Sequence, residues 1–148
     1  MRVAVWIAII TIAGGASVSA QSLQEQALCS AQAKRTFQED ASKWDLDNKQ
    51  IGIQTISFDY QSHYNTKLNR CLILTTRMSV LGGETSTIKL LYDAFERRDY
   101  ASYLWTSKKD KKYGEVVPFC ELSLGYGQTK SCKSEAEFSG FVAVYMEQ

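Results

Sequence analysis

The chain has 148 residues, with 17 Lys and Arg against 16 Asp and Glu, a formal net charge of +1 at pH 7. So even a balance excludes the cation surplus on which nucleic-acid binders depend. The length suits one domain built around one core.

Met1-Arg2 is a short basic start, and Val3 to Ala13 is an apolar run of eleven residues. Gly14-Gly15 breaks the run, and Val18-Ser19-Ala20 offers small residues at the positions a signal peptidase reads. This is the three-part layout of a secretory signal peptide, too short to span a bilayer. Residues 1–20 are expected to be cleaved, leaving a domain of 21–148 that is exported, periplasmic or secreted. Without Arg2 the remaining 128 residues carry 16 cationic and 16 anionic side chains. No later segment reads as a membrane span, and no cysteine follows the apolar run to take a lipid.

Four cysteines remain: Cys29, Cys71, Cys120 and Cys132. An even number in a small exported domain reads as two disulfides. No C-x-x-C spacing suggests a zinc knuckle or a redox pair. Gly125 and Gly127 let the chain turn back between Cys120 and Cys132, which leaves Cys29 for Cys71.

Along the chain, Ser22 to Lys43 reads as a helix with Cys29, Ala33, Phe37 and Ala41 on its apolar stripe. The turn formers of Asp45 to Gln50 are expected to end it. Ile56, Phe58 and Tyr60 then alternate with polar residues as a half-buried strand, Asn65 to Asn69 form a turn, and Arg70 to Met78 return as a second strand. Gly82-Gly83 marks the next loop. For Thr87 to Thr106 the period alone leaves helix and hairpin open. A hairpin turning at Glu96 to Asp99 gives both halves a consistent role, with Asp93 and Phe95 on one face and Asp93 paired to Arg97 or Arg98. Pro118 suits an edge strand or a strand end. Ser134 and Glu137 form a capping box that opens a C-terminal helix with Phe138, Phe141, Val142 and Tyr145 on its stripe.

These elements predict an α+β domain: an N-terminal helix, an antiparallel meander of four to five strands and a C-terminal helix, both helices packed on one face of the sheet, with two disulfides. The stretches "SHYNTKLNRC", "LYDAFERRDYASYLW" and "GEVVPFC", with a cysteine before an S-x-x-E-F helix, resemble small exported bacterial proteins of uncharacterised function. The likeness spans Cys29 to the C-terminus. The resemblance implies a plain hairpin at Leu91 to Trp105, and it carries over no activity and no binding residues.

Chemistry is sparsely marked. His63 is the only histidine and would have to serve any triad alone, without a G-x-S-x-G elbow. With the cysteines oxidised, His63 is the only soft ligand left, so no metal is expected, and no cofactor fingerprint is present. The carboxylates show no spacing that marks a catalytic pair. Sixteen aromatic residues remain after cleavage and crowd the second half of the chain. Rigid rings with polar tips suit recognition of a protein or glycan. His63, Tyr100, Tyr103, Trp105 and Tyr126 are therefore the candidate binding residues. The leading expectation is a non-enzymatic domain that binds an envelope or extracellular protein or glycan. A small hydrolase of cell-wall or extracellular polymers is the first alternative, and a structural or stress-related envelope protein the second.

Overall fold

A computed structural model describes residues 17–108, 111, 118–125 and 127–147, with side chains from residue 23 onward. The predicted leader up to residue 16 lies outside the described residues, and so does Tyr126. Helix α1 (Ser17–Ile51) is followed by six strands, β1 (Gln54–Asn65), β2 (Arg70–Leu81), β3 (Glu84–Asp93), β4 (Asp99–Thr106), β5 (Phe119–Gly125) and β6 (Gln128–Ser131), and by helix α2 (Glu135–Met146). The strands form one antiparallel sheet in the order β1-β2-β3-β4-β5-β6, each pairing with the next in sequence. Among the described residues, no helix is long and apolar enough to cross a membrane.

The sheet has six strands, not four to five. The extra strand is β6, four exposed polar residues that carry no alternation for a sequence reader. Its pairing with β5 across the Gly125–Gly127 turn makes it a strand. The hairpin expected between Thr87 and Thr106 is present as β3 and β4, and Pro118 stands just before β5 begins.

The first helix runs past Asp45 to Ile51 instead of stopping at Lys43. The stop lies at Gly52, whose φ of +75° opens the left-handed region that only glycine enters freely. The Ile53 amide bonds back to the Asn48 carbonyl at 3.1 Å, the long bond of a Schellman ending. Asn48 itself is buried, and its side-chain amide donates to Thr55 Oγ1 at 3.1 Å. The turn formers thus sit inside the helix, because tertiary contact uses Asn48 there. At the other end of the chain Ser134 caps α2 as expected, with the Glu137 amide donating to Ser134 Oγ at 3.2 Å, while the Glu137 carboxylate accepts the Lys133 amide at 2.7 Å, one residue before the cap.

The two helices lie on opposite faces of the sheet, not on one. In β2, Cys71 and Ile73 join Cys29, Ala33, Tyr92 and Ala94 in a core beneath α1. Leu72, between them, joins Leu91, Tyr103, Leu122, Phe138 and Val142 in a second core beneath α2. Successive side chains of a strand point to opposite faces. The unbroken apolar run Cys71 to Leu74 therefore buries both sides of a central strand. Each face has its own disulfide. Cys29–Cys71 ties α1 to β2, and Cys120–Cys132 ties β5 to the segment leading into α2; the Cα atoms are 5.1 Å apart in both.

Candidate functional site

The meander brings the β1–β2, β3–β4 and β5–β6 turns to one end of the sheet. Two of these turns come from the stretches singled out in the sequence, and both are held by side chains. At the β1–β2 turn, buried Asn65 accepts from the Leu68 amide at 2.9 Å and donates to the Tyr145 carbonyl of α2 at 2.8 Å. Asn69 takes the left-handed conformation, φ +53°, and accepts the Tyr64 hydroxyl.

The β3–β4 turn is organised by Asp93, which is 1% exposed. Its Oδ1 accepts the amides of Phe95 at 2.8 Å and Glu96 at 2.9 Å, and its Oδ2 lies 3.7 Å from the Arg70 guanidinium. Asp93 therefore pairs across the sheet with Arg70, not with Arg97 or Arg98. Arg97, at φ +58°, turns instead toward α1, where it bonds Asp40 and Glu39. From α1, Thr36 Oγ1 and Gln32 Nε2 both donate to the Ala94 carbonyl, at 3.0 and 3.2 Å. The chain from Asp93 to Arg98 is thus clamped to the helix, and Phe95 stands 59% exposed on top of it instead of sharing a strand face with Asp93.

Beside Phe95 lies a cleft of about 300 Å³ between the start of α1 and the two turns, lined by Leu28, Phe95 and the Cys29–Cys71 disulfide, with Glu25, Tyr64, Asn69, Arg70 and Asp93 around them. Leu28 is as exposed as Phe95. The Tyr64 phenol is pushed up by desolvation and then by Glu25, and the Arg70 guanidinium is pushed up chiefly by Glu96, which it bonds. Asp93 is thus buried at the edge of the cleft with two turn amides on Oδ1 and the Arg70 guanidinium near Oδ2, a structural role in the turn. The cleft presents an apolar floor and a charged, hydrogen-bonding rim, the usual make-up of a recognition pocket.

A second cleft of about 310 Å³ opens on the other side of the clamped turn, between α1 and β3. It holds Asp40, Asp47, Asp99, Lys43, Arg97, Trp44 and Tyr92. The Tyr92 hydroxyl donates to Asp40 Oδ2 at 2.6 Å; burial, and then Asp40, push its pKa far above the usual phenol value. Asp99 is pushed up by partial burial. A bulge in β4 creates this arrangement. Leu91 faces Ala101 while Tyr92 faces Asp99, so Tyr100 is the extra residue and turns to the α2 side.

The candidate binding residues are dispersed. Tyr100 packs on Tyr145 with ring centroids 5.3 Å apart and the Arg98 guanidinium 5.7 Å from its ring, in a third cleft at the same end. Tyr103 is sealed in the α2-side core against Phe138, and Trp105 packs half-buried against that core. His63 lies near the end of β1 opposite Leu72, on the α2 side of the sheet, and lines none of these clefts. Phe95 was expected on a strand face with Asp93, and Leu28 lies beside the α1 stripe of Cys29, Ala33 and Phe37, so no local pattern marked either as exposed. The turn geometry lifts Phe95 to the surface, where it meets Leu28 of α1 across the cleft. Among the described residues no cluster of three or more His, Cys, Asp or Glu could hold a metal ion. No family model, curated protein or solved structure matches the chain.

Proposed function

We propose that the protein is an exported, disulfide-stabilised recognition domain that takes an apolar side chain of an envelope or extracellular protein into the cleft between α1 and the β3–β4 turn. The observation that carries this reading is the pair Leu28 and Phe95, each 59% exposed over an apolar cleft at a rigidly clamped end. Exposed apolar groups on a preorganised frame bind at low ordering cost. Arg70, Glu96 and Glu25 at the rim supply register and charge selection. Two disulfides suit an oxidising compartment.

The test compares the exported protein with its Leu28→Ser/Phe95→Ser double variant, each immobilised against envelope extract. Quantitative mass spectrometry should show a partner retained by the first and lost by the second. Equal retention by both removes the cleft from the reading. N-terminal sequencing of the exported protein checks the leader, with Gln21 expected first. A hydrolase acting on cell-wall or extracellular polymers is the second reading, favoured by the second cleft, where Asp99 is held toward its neutral form and Asp40 is bound by Tyr92 and Arg97. Carboxyls in unlike environments are what acid–base hydrolysis uses. Release of soluble fragments from cell-wall polymer, abolished by Asp99→Asn, would establish it.

A further inference from the structure

The sheet has two open edges, and they differ sharply. Unpaired strand edges attract other strands, so most are short or guarded by lysine, proline or a bulge. The β6 edge fits that rule, with four residues and Lys130 among them. The β1 edge is guarded only by an irregularity near its start. It runs for twelve residues with no proline, lysine or arginine, and Asp59 is its only fixed charge. Among the described residues β2 is the only strand paired with it. After the irregularity at Thr55–Ser57, the ladder is regular from Ser57 to Asn65, nine residues centred on Gln61.

We propose that this edge pairs with the same edge of a second copy of the chain, antiparallel about a two-fold axis at Gln61, so that two six-stranded sheets join into one. Side-chain complementarity selects the copy and the register. Pairing centred on Gln61 sets Asp59 of each copy opposite His63 of the other, two acid–imidazole contacts related by symmetry. Centring on Asp59 or on His63 would bring like groups face to face. Centring on Tyr60 or Ser62 leaves Asp59 opposite Gln61 or Asn65, with no imidazole partner. On the α1 side the chosen register places Phe58 opposite Tyr64 and Tyr60 opposite Ser62, cross-strand pairs of the stabilising kind. Phe58 and Tyr60 are already held by the Phe37 ring of α1, at centroid distances of 4.7 and 4.6 Å, so little order remains to be gained on pairing. Main-chain hydrogen bonds along the ladder supply the affinity, as in other strand additions. Gln61, on the axis, is exposed in the single chain.

The purified, oxidised protein tests this by sedimentation over concentrations on the order of 1–100 µM, the range where moderate self-association shows. The expected species is a dimer. Gln61→Lys and Gln61→Glu, changes at an exposed position, each bring like charges together at the axis and should weaken the dimer about tenfold or more. An equimolar mixture of the two variants should restore a heterodimer. A measurement without variants accompanies it: amide exchange within Ser57–Asn65 should slow as protein concentration rises. A wild-type monomer at the highest concentration overturns the proposal. So does a dimer indifferent to both variants, amide protection that does not change with concentration, or a monomer that accepts only a foreign strand at β1.

Discussion

Arg77 offers a sharp test of the packing argument. It sits on β2 between Phe58 of β1 and Ile88 of β3, under α1, and is 6% exposed. Its guanidinium lies 3.7 Å from the centroid of the Trp44 ring, and none of the ion pairs among the described residues includes it. Its Nη1 is buried with no hydrogen-bond partner. An unsatisfied buried donor costs about 1–3 kcal/mol, more when charged, while stacking on an aromatic ring returns about 1–2 kcal/mol. Arg77→Met keeps the length of the aliphatic stem and removes the charge. The expected result is a gain of about 1–2 kcal/mol, or roughly 3–8 °C in Tm for a domain of this size. Burial pushes the Arg77 pKa down. A lowered folded-state pKa in a base means that the cost is complete below it and relieved only as the pH rises through it. Arginine stays protonated in folded proteins, so the gain from Arg77→Met should be flat between about pH 5 and 9. Calorimetry of Arg77→Met and Arg77→Ala checks both points, since Arg77→Ala also loses the packing beneath Trp44 and should fall below Arg77→Met. A Tm for Arg77→Met several degrees below wild type would refute the reasoning, showing that the guanidinium is satisfied where it lies.

Three further outcomes follow from the clamps and crosslinks. Replacing Cys29 and Cys71 together by serine should cost about 4 kcal/mol, against about 3 kcal/mol for Cys120 and Cys132, because the first pair closes the longer loop; urea unfolding of the two double variants measures the order. Tyr92→Phe removes the bond to Asp40 and should cost about 1–2 kcal/mol at neutral pH. Because the folded-state pKa of Tyr92 is raised, wild-type stability is complete below pH 10 and lost as the phenol ionises above it; Tyr92→Phe should flatten that alkaline limb in a pH series of unfolding curves. Asp93→Ala deprives two turn amides and should cost about 1–3 kcal/mol, with faster hydrogen exchange at Phe95 and Glu96 as the local readout.

Local pattern and chemistry made much of this protein legible. The C-terminal helix was marked by its own cap and stripe, Ser134 with Glu137 and Phe138 with Val142. The meander was marked by alternation and turn formers, and the Cys120–Cys132 crosslink by the glycines between its ends. These features depend on neighbours within a few residues, which a linear reading contains. Other features depended on partners far away in the chain. Asn48 is a turn former by propensity, yet it lies inside α1 because its amide meets Thr55. β6 has no pattern of its own and is a strand because β5 runs beside it. The Cys71–Leu74 run was legible only as a strand, with both helices expected on one face; that it is covered on both faces was decided by Cys29 reaching Cys71 and by Phe138 packing on Tyr103. The candidate cleft was the least legible, since Leu28 and Phe95 look like core residues. Phe95 becomes surface because Asp93 captures the amides that follow it and bends the chain away from the sheet, and Leu28 stays exposed on α1 beside that turn. Sequence by itself determined the two helices, the first four strands and the sulfur pairing, which rest on short-range periodicity and turn chemistry. Tertiary structure decided which apolar groups were left uncovered, because exposure is settled only when the packed faces have closed.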